Sequence, residues 1–111
     1  MEAVLQALGD ENRRTLLRVL SEGEATAGEL GDHLHIAQPG VSRHLRVLRD
    51  AGLVEVRESG RHRIYALTPA PLAEVDDWLE PFRAQWRQRL DALHTEVARG
   101  RRRNTTQRET T

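Results

Sequence analysis

A set of hydrogen-bond donors recurs along one side of the segment from Gln38 to Asp50. This donor face consists of Gln38, Ser42, Arg43, Arg46 and Arg49, with His44 as a further polar residue of the same segment. Arginine can bind the two acceptors of a guanine edge, glutamine can pair with adenine, and serine or histidine can reach a base or a phosphate. The spacing therefore predicts a helix face suited to an acceptor-lined surface such as the DNA major groove.

The other side of the same segment is apolar. Val41, Leu45 and Leu48 recur at helical spacing and are predicted to face a core. Pro39 fits a helix start, because the N–H that proline lacks is not needed in a first turn. An amphipathic helix with arginines outside also occurs in proteins that bind no nucleic acid, so this helix alone does not decide the function.

The residues before this segment predict another helix and a turn. Thr26 and Glu29 have the spacing of a capping box, in which each side chain accepts a backbone N–H at the helix start. Leu30 and Leu34 then share one face, and residues 35–37 form the predicted turn. Together with the donor-face helix, these residues have the plan of a helix-turn-helix.

Two short stretches, the first with β-branched residues at alternate places, predict a two-stranded ribbon. They cover residues 53–58 and 61–67, with Gly52 ending the preceding helix and residues 59–60 as the turn. The tip carries Arg61, His62 and Arg63, and holding these cations together is costly unless they meet a polyanion. The ribbon is therefore predicted to be a wing on the phosphate backbone or in the adjoining minor groove. The predicted fold is a winged helix-turn-helix, mainly α with a small β-hairpin wing (α+β).

The distribution of charge supports this prediction, although the total does not. Seventeen arginines balance 17 acids, so the net charge neither favours nor excludes nucleic acid. Residues 1–37 hold seven acids and three arginines, whereas residues 38–67 hold six arginines and three acids. Positive charge is thus concentrated where DNA contact is predicted.

Two more helices are predicted ahead of the helix-turn-helix. The first covers residues 3–8, with Val4, Leu5 and Leu8 on one side and Gly9 as its end. Asp10 caps the second, which runs to about Ser21 and places its leucines in the core. Arg13 and Arg14 fall in its first turn, where the helix dipole disfavours them. We interpret them as solvated surface, with phosphate contact as the alternative.

Apolar residues recur at steps of three and four through nearly four heptads near the carboxyl end. This apolar seam consists of Leu72, Val75, Leu79, Phe82, Trp86, Leu90, Leu93 and Val97. A small domain cannot cover so long a seam, and burying one such side chain stabilises by about 1.5–3 kcal/mol. We therefore expect a homodimer through the terminal helices, with dimerisation residues Val4, Leu5, Leu8, Leu79, Phe82, Trp86, Leu90 and Leu93. The alternative is a seam that closes the monomer's own core.

Pro81 lies within the apolar seam. Proline inside a helix removes a hydrogen bond and costs about 3 kcal/mol. The sequence therefore predicts either a kink or two consecutive helices that meet near Leu79 and Glu80.

Absent residues disfavour several classes of function. The chain has no cysteine, which excludes disulfides and thiolate metal sites. No apolar stretch approaches the roughly 20 residues of a membrane span and no signal peptide follows Met1, so we expect a cytoplasmic protein. No phosphate-binding loop or Ser/His/Asp motif indicates an enzyme, and no cofactor is expected.

Residues 1–99 are predicted to form the winged domain with its dimerisation helix. Residues 100–111 have no apolar members and are predicted to form a disordered basic tail.

Four sequence blocks resemble ArsR-type winged-helix repressors. They are LGDENRR at 8–14, QPGVSRHL at 38–45, LRDAGLV at 48–54 and GRHRIYAL at 60–67, within a resemblance over about residues 3–97. Residues 78–83 with Trp86 are similar to the SdpR-like branch, whose members generally lack a metal site. The resemblance implies a homodimeric bacterial transcription factor, usually a repressor, that binds an inverted repeat near its own promoter. It places Gln38, Ser42, Arg43, His44 and Arg46 on the DNA-contacting helix and Arg61 and Arg63 on the wing.

Two alternatives and one departure accompany this resemblance. A metal site on the last helix would use His94 with Asp91 and Glu96, but these give a single i, i+3 pair without a second histidine. A winged helix that docks protein, its basic face being incidental, is the other alternative. Many relatives have Ser or Thr where this chain has Ala37, so a helix cap worth about 1 kcal/mol is missing.

Overall fold

The computed structural model describes the backbone of residues 1–110 and the side chains of residues 1–98, together with Gly100. The chain divides into two compact units, Met1–Val75 and Asp76–Thr111. The helices are α1 (Glu2–Leu8), α2 (Glu11–Glu22), α3 (Ala27–Gly31), α4 (Gln38–Asp50) and α5 (Ala70–Thr110). The strands are β1 (Ala25–Thr26), β2 (Val54–Ser59) and β3 (His62–Leu67). The side chains of residues 101–111, in the predicted basic tail 100–111, lie outside the described residues, and the disorder of this tail stays a prediction.

The first two helices are joined by side-chain hydrogen bonds. The Asp10 carboxylate accepts the backbone N–H of Arg13 at 3.1 Å and so caps α2, as predicted. The last carbonyls of a helix have no partner within it. The Arg13 Nε donates to the carbonyl of Ala7 at 2.8 Å, and the Arg14 Nη1 donates to that of Leu8 at 2.8 Å. Arg14 is exposed, as predicted, whereas Arg13 is half-buried, and the side chains of both also close the carboxyl end of α1.

The helix-turn-helix begins at the predicted capping box and has a shorter first helix than the sequence indicates. Thr26 Oγ1 accepts the N–H of Glu29 at 3.2 Å, and the Glu29 carboxylate accepts the N–H of Thr26 at 3.2 Å. However, α3 ends at Gly31, so the connection covers residues 32–37 and not only 35–37. Leu34 lies in this connection but remains buried. Its burial explains the helical spacing that it shares with Leu30.

The start of α4 lacks a side-chain cap, as the sequence predicts. Ala37 occupies the N-cap position with extended backbone, and no side chain accepts a hydrogen bond there. Its φ of −69° and ψ of 153° are those of an ordinary N-cap residue. A serine at this position would therefore meet the right geometry.

Replacing Ala37 by serine is expected to stabilise the domain by about 1 kcal/mol, because the new hydroxyl accepts an N–H of the first turn of α4. Thermal unfolding of Ala37→Ser beside the unchanged protein measures this gain as a higher Tm. Ala37→Val, which adds no oxygen, is the matched control. A serine variant that melts no higher than the valine variant contradicts the cap.

The wing belongs to a sheet of three strands and not two. The strand order is β1-β3-β2, all antiparallel, with Ala25 opposite Tyr65 and Val56 opposite Tyr65 on the other side. β1 has only two residues, too few for an alternating pattern to appear in the sequence. The wing turn lies at residues 60–61, one residue later than predicted, and Gly60 supports it with a φ of +62°.

A single core lies beneath the first unit. Its fully buried large side chains are Leu16, Leu30, Val41, Leu45, Leu48 and Leu53. Leu72 and Val75 at the start of α5 pack against this core. The prediction that α2 and α4 place their apolar residues in the core is confirmed. Two residues of the apolar seam, Leu72 and Val75, pack within the protomer.

Helix α5 continues through Pro81, so the alternative of two helices is wrong. Pro81 has no N–H to donate to the preceding turn. The Arg83 guanidinium reaches back across it, donating to the carbonyl of Asp76 at 2.8 Å and to the Glu80 carboxylate at 2.6 Å. It also bonds the Asp76 carboxylate. These contacts bridge the turns on both sides of the proline and support the continuous helix.

Candidate DNA-contacting surface

The exposed side of α4 carries the donor-face residues, Gln38 at its start included. Ser42, Arg43, Arg46 and Arg49 are exposed, while Val41, Leu45 and Leu48 on the opposite side are buried. The buried residues fix the rotation of the helix, because only one stripe of α4 can meet the core. A shallow groove on the exposed side is lined by Pro39, Ser42, Arg43 and Arg46. Packing thus turns these donors towards any ligand of the helix.

The wing adds cations beside this helix. Tyr65 is buried and Arg63 lies two residues earlier on β3, hence on the same face of the strand. Anchoring of Tyr65 in the core therefore brings Arg63 towards α4. A concavity of about 280 Å³ lies between the two elements. This arginine corner is lined by Ser42, Leu45, Arg46, Arg49, Asp50, Arg63 and Tyr65.

The arginines of this surface are not neutralised by the protein. Among the side chains that the structure describes, no carboxylate forms an ion pair with Arg43, Arg46, Arg49, Arg61 or Arg63. By contrast, Arg57 on β2 is paired with Glu24 at 2.7 Å. Exposed cations without acidic partners give a surface a positive potential that attracts a polyanion.

Two of the residues assigned to DNA contact point elsewhere. Gln38 Nε2 lies 3.5 Å from the carbonyl of Ala27 in α3, and its Oε1 lies against Gly31. The His44 side chain is only 16% exposed and faces Asp10 in α2. His44 is therefore partly buried behind the exposed arginines, whereas Gln38 is exposed beside them but has a partner in α3.

The placement of His44 follows from helix periodicity. It stands three residues after Val41 and four before Leu48, so it flanks the buried stripe of α4. A histidine on this helix suggested DNA contact, whereas its position beside the buried residues already indicated partial burial. Arg49 is the converse case, because it lies three residues beyond Arg46 on the exposed side. The sequence placed Arg49 on the donor face but gave no sign that the wing would meet it.

His44 takes part in a polar cluster that joins three helices. Its Nε2 lies 3.9 Å from the Asp10 carboxylate, and its Nδ1 lies 3.4 Å from the Arg13 guanidinium. Arg13 in turn bonds the carbonyls of Gln6 and Ala7 in α1. Burial tends to raise the pKa of Asp10, but the Arg13 N–H together with the charges of His44 and Arg13 hold it below its ordinary value. The cluster ties α4 to the helices behind it.

Replacing Asp10 by asparagine tests this charge attraction. A carboxyl whose folded pKa is lowered contributes stability above its unfolded pKa and loses it as the pH falls through the folded pKa. Asparagine caps α2 about equally well but cannot ionise. We expect Asp10→Asn to be less stable than the unchanged protein at about pH 7 and equal to it near about pH 2. Urea unfolding at both pH values measures this, and a difference that does not change with pH contradicts it.

The predicted dimerisation residues have different surroundings. Val4 is buried in the protomer's own core, and Leu8 packs partly against it. Leu5 is exposed, as are Phe82, Trp86, Leu90 and Leu93. Leu79 is half-buried. The carboxyl-terminal seam is thus the larger exposed apolar surface. Trp78 adds to it, with its ring centroid 5.0 Å from that of Phe82 and the two rings tilted by 46°.

The described residues show neither a metal-binding cluster nor a membrane-spanning helix. Within the residues described, no three histidine, aspartate or glutamate side chains lie close enough together to hold a metal ion. No described helix is long and apolar enough to cross a membrane.

A family profile and individual relatives place the sequence among the same bacterial regulators. Residues 10–56, from the α2 cap to β2, match the profile described as bacterial regulatory protein, arsR family. The chain is 32% identical over 82 residues to the transcriptional repressor SdpR of Bacillus subtilis. That alignment covers 74% of this chain and 91% of SdpR.

Solved structures agree with the sequence comparison. An ArsR-like transcriptional regulator from Rhodococcus sp. RHA1 has a TM-score of 0.65 at 33% identity, covering 83% of this chain and 87% of that one. A homodimeric winged helix-turn-helix DNA-binding domain from Mycobacterium bovis has a TM-score of 0.61 at 23% identity, covering 76% and 78%. At that identity the likeness concerns the fold alone. The predicted fold class, a winged helix-turn-helix, is confirmed.

Proposed function

The chain belongs to the arsR family of bacterial regulatory proteins and is a DNA-binding transcriptional regulator, and we propose that it binds an inverted-repeat operator as a homodimer. The observation that carries this proposal is the row of exposed arginines on α4, which continues onto the wing without acidic partners among the described side chains. Arg43 and Arg46 line the groove that faces outwards and are the proposed base contacts. Ser42 supports them at the same face.

In the proposed complex, two copies of α4 lie in successive major grooves about 34 Å apart, which is one turn of DNA. The wings extend to either side, where Arg61 and Arg63 contact the phosphate backbone or the adjoining minor groove. Gln38 and His44 are not among the proposed base contacts, because their side chains face α3 and α2. They instead hold the DNA-contacting helix on the rest of the domain.

The dimer is proposed to form through the apolar seam of α5, with α1 contributing Leu5. Phe82 is 41% exposed and Trp86 51%, and water contact with such large apolar surfaces is unfavourable. A second copy of the same helix offers a complementary apolar surface by symmetry. Leu90 and Leu93 extend this surface by two further turns.

Regulation is proposed to occur by occupancy of the operator, which blocks polymerase. SdpR is named a transcriptional repressor, and this similarity supports repression over activation here. We further propose that the protein works in the cytoplasm, where bacterial DNA lies, and that it has no enzymatic activity of its own.

Salt dependence tests the electrostatic part of this function. Affinity for a palindromic duplex should fall by on the order of 10³-fold between about 50 and about 200 mM salt, because each neutralised phosphate releases counterions. Fluorescence anisotropy measures the affinity at each salt concentration. A flat response contradicts DNA binding by the exposed arginines and favours a protein-docking module.

A further inference from the structure

The arginine corner between α4 and β3 has the chemistry of a site for one phosphoryl group. Its lining includes three residues that carry guanidinium groups, Arg46, Arg49 and Arg63, and one that carries a hydroxyl, Ser42. Asp50 is the one carboxylate in this lining, and it forms no ion pair with these arginines. Three cations around one concavity repel each other, so an anion seated among them is favoured.

The fold sets the shape of this corner before any ligand arrives. Leu45 and Tyr65 form its floor and are buried, so the backbone of α4 and that of β3 are both held by the core. The arginine side chains stand on these two anchored elements. Guanidinium groups bind phosphate oxygens through pairs of parallel N–H donors, which suits convergence of several arginines on a tetrahedral anion.

We propose that the arginine corner binds a phosphate of the DNA backbone at the junction of helix and wing, with Arg49 as a phosphate-contacting residue. This inference rests on the proposed function and adds a division of labour to it. Arg43 and Pro39 line only the outer groove, whereas Arg49 and Arg63 line only the corner. The outer groove contacts bases, the corner fixes the register of the protein on the backbone, and Arg46 borders both.

The variant Arg49→Gln separates contact with the DNA backbone from contact with the bases. Glutamine retains a long side chain and helix propensity but removes the charge. On both operator and unrelated duplexes, the variant should reduce the slope of log affinity against log salt by about 0.9 for each protomer's lost phosphate contact. The ratio of the two affinities should not change, because a phosphate contact carries no sequence information. Arg18→Gln, at an exposed position of α2 outside the corner, is the matched control.

The two possible failures give different results. If the unchanged protein shows neither operator preference nor a salt-dependent affinity, the proposed function itself fails. If the unchanged protein shows both and Arg49→Gln behaves like Arg18→Gln, the corner is not a backbone contact. A loss of operator preference in Arg49→Gln would also contradict the proposal, since it would make Arg49 a base contact.

A titration with inorganic phosphate distinguishes a backbone phosphate from a free one. NMR spectra of the full chain follow the Nε–Hε signals of Arg46, Arg49 and Arg63, with Arg18 as the reference. A change in salt slope, with or without shifts of these signals, supports the DNA backbone as the ligand. Saturable shifts without a change in slope show a site for free phosphate and overturn the backbone assignment. The absence of both overturns the phosphoryl site entirely.

Discussion

Replacing Arg43 and Arg46 together by alanine is expected to lower operator affinity by on the order of 10²-fold or more and to remove the preference for the operator. A bidentate arginine–guanine contact is worth about 1–3 kcal/mol of discrimination against the wrong base, and each protomer would lose two such contacts. Anisotropy titrations on an operator duplex and on a scrambled duplex of the same length give both affinities. The affinity for the scrambled duplex should fall much less.

The controls for this experiment follow from the structure. Both arginines are exposed and neither contributes to the core, and alanine favours a helix, so the variant should melt close to the unchanged protein. Arg57→Ala, on the opposite arm of the wing and paired with Glu24, should leave operator preference unchanged. Equal preference in the double variant and the unchanged protein would contradict base contact and agree with a protein-docking winged helix.

Replacing Trp86 by glutamate is expected to give a monomer at micromolar concentration. The substitution removes a large apolar side chain from the proposed interface and would bury two charges across the two-fold axis. Losing the second protomer should lower the affinity for a palindromic operator by about 10²–10⁴-fold, because the two half-sites no longer act together. Analytical ultracentrifugation gives the mass, and anisotropy gives the affinity.

Gln88→Glu is the matched control for the seam. Gln88 lies two residues from Trp86 on α5 and is not part of the apolar seam, so a charge there should leave the dimer intact. An unchanged dimer mass for Trp86→Glu would show that the seam is not the interface. A monomeric unchanged protein at micromolar concentration would contradict the dimer itself.

Much of the fold is predictable because local rules and packing agree. The capping box at Thr26, the proline at the start of α4 and the buried stripe through Leu45 each indicate one local structure, and the core is compatible with all of them. Local sequence rules no longer predict the structure where a contact with a distant part of the chain determines it. Strand β1 exists only because β3 pairs with it, and two residues carry too little pattern to predict it.

The partners of surface side chains are also hard to predict from the local sequence. Arginine on a helix indicates a donor but not its partner, and Arg13 proves to bond the end of α1. Pro81 predicts an interrupted helix, because the local rule takes no account of the guanidinium that bridges the proline from Arg83. The side chain of His44 likewise lies near Asp10, a partner that its residue type does not indicate. In each case the missing information is a side chain distant from the local pattern.

Hydroxyl-radical footprinting on a duplex from the chain's own upstream region tests directly whether the protein binds DNA as a two-fold dimer. We expect two protected segments related by two-fold symmetry, with centres about one helical turn apart, and two protein chains for each duplex. Arg43→Ala/Arg46→Ala should leave no footprint at the same protein concentration. One protected segment, or a single bound chain at saturation, would contradict a two-fold DNA-binding dimer.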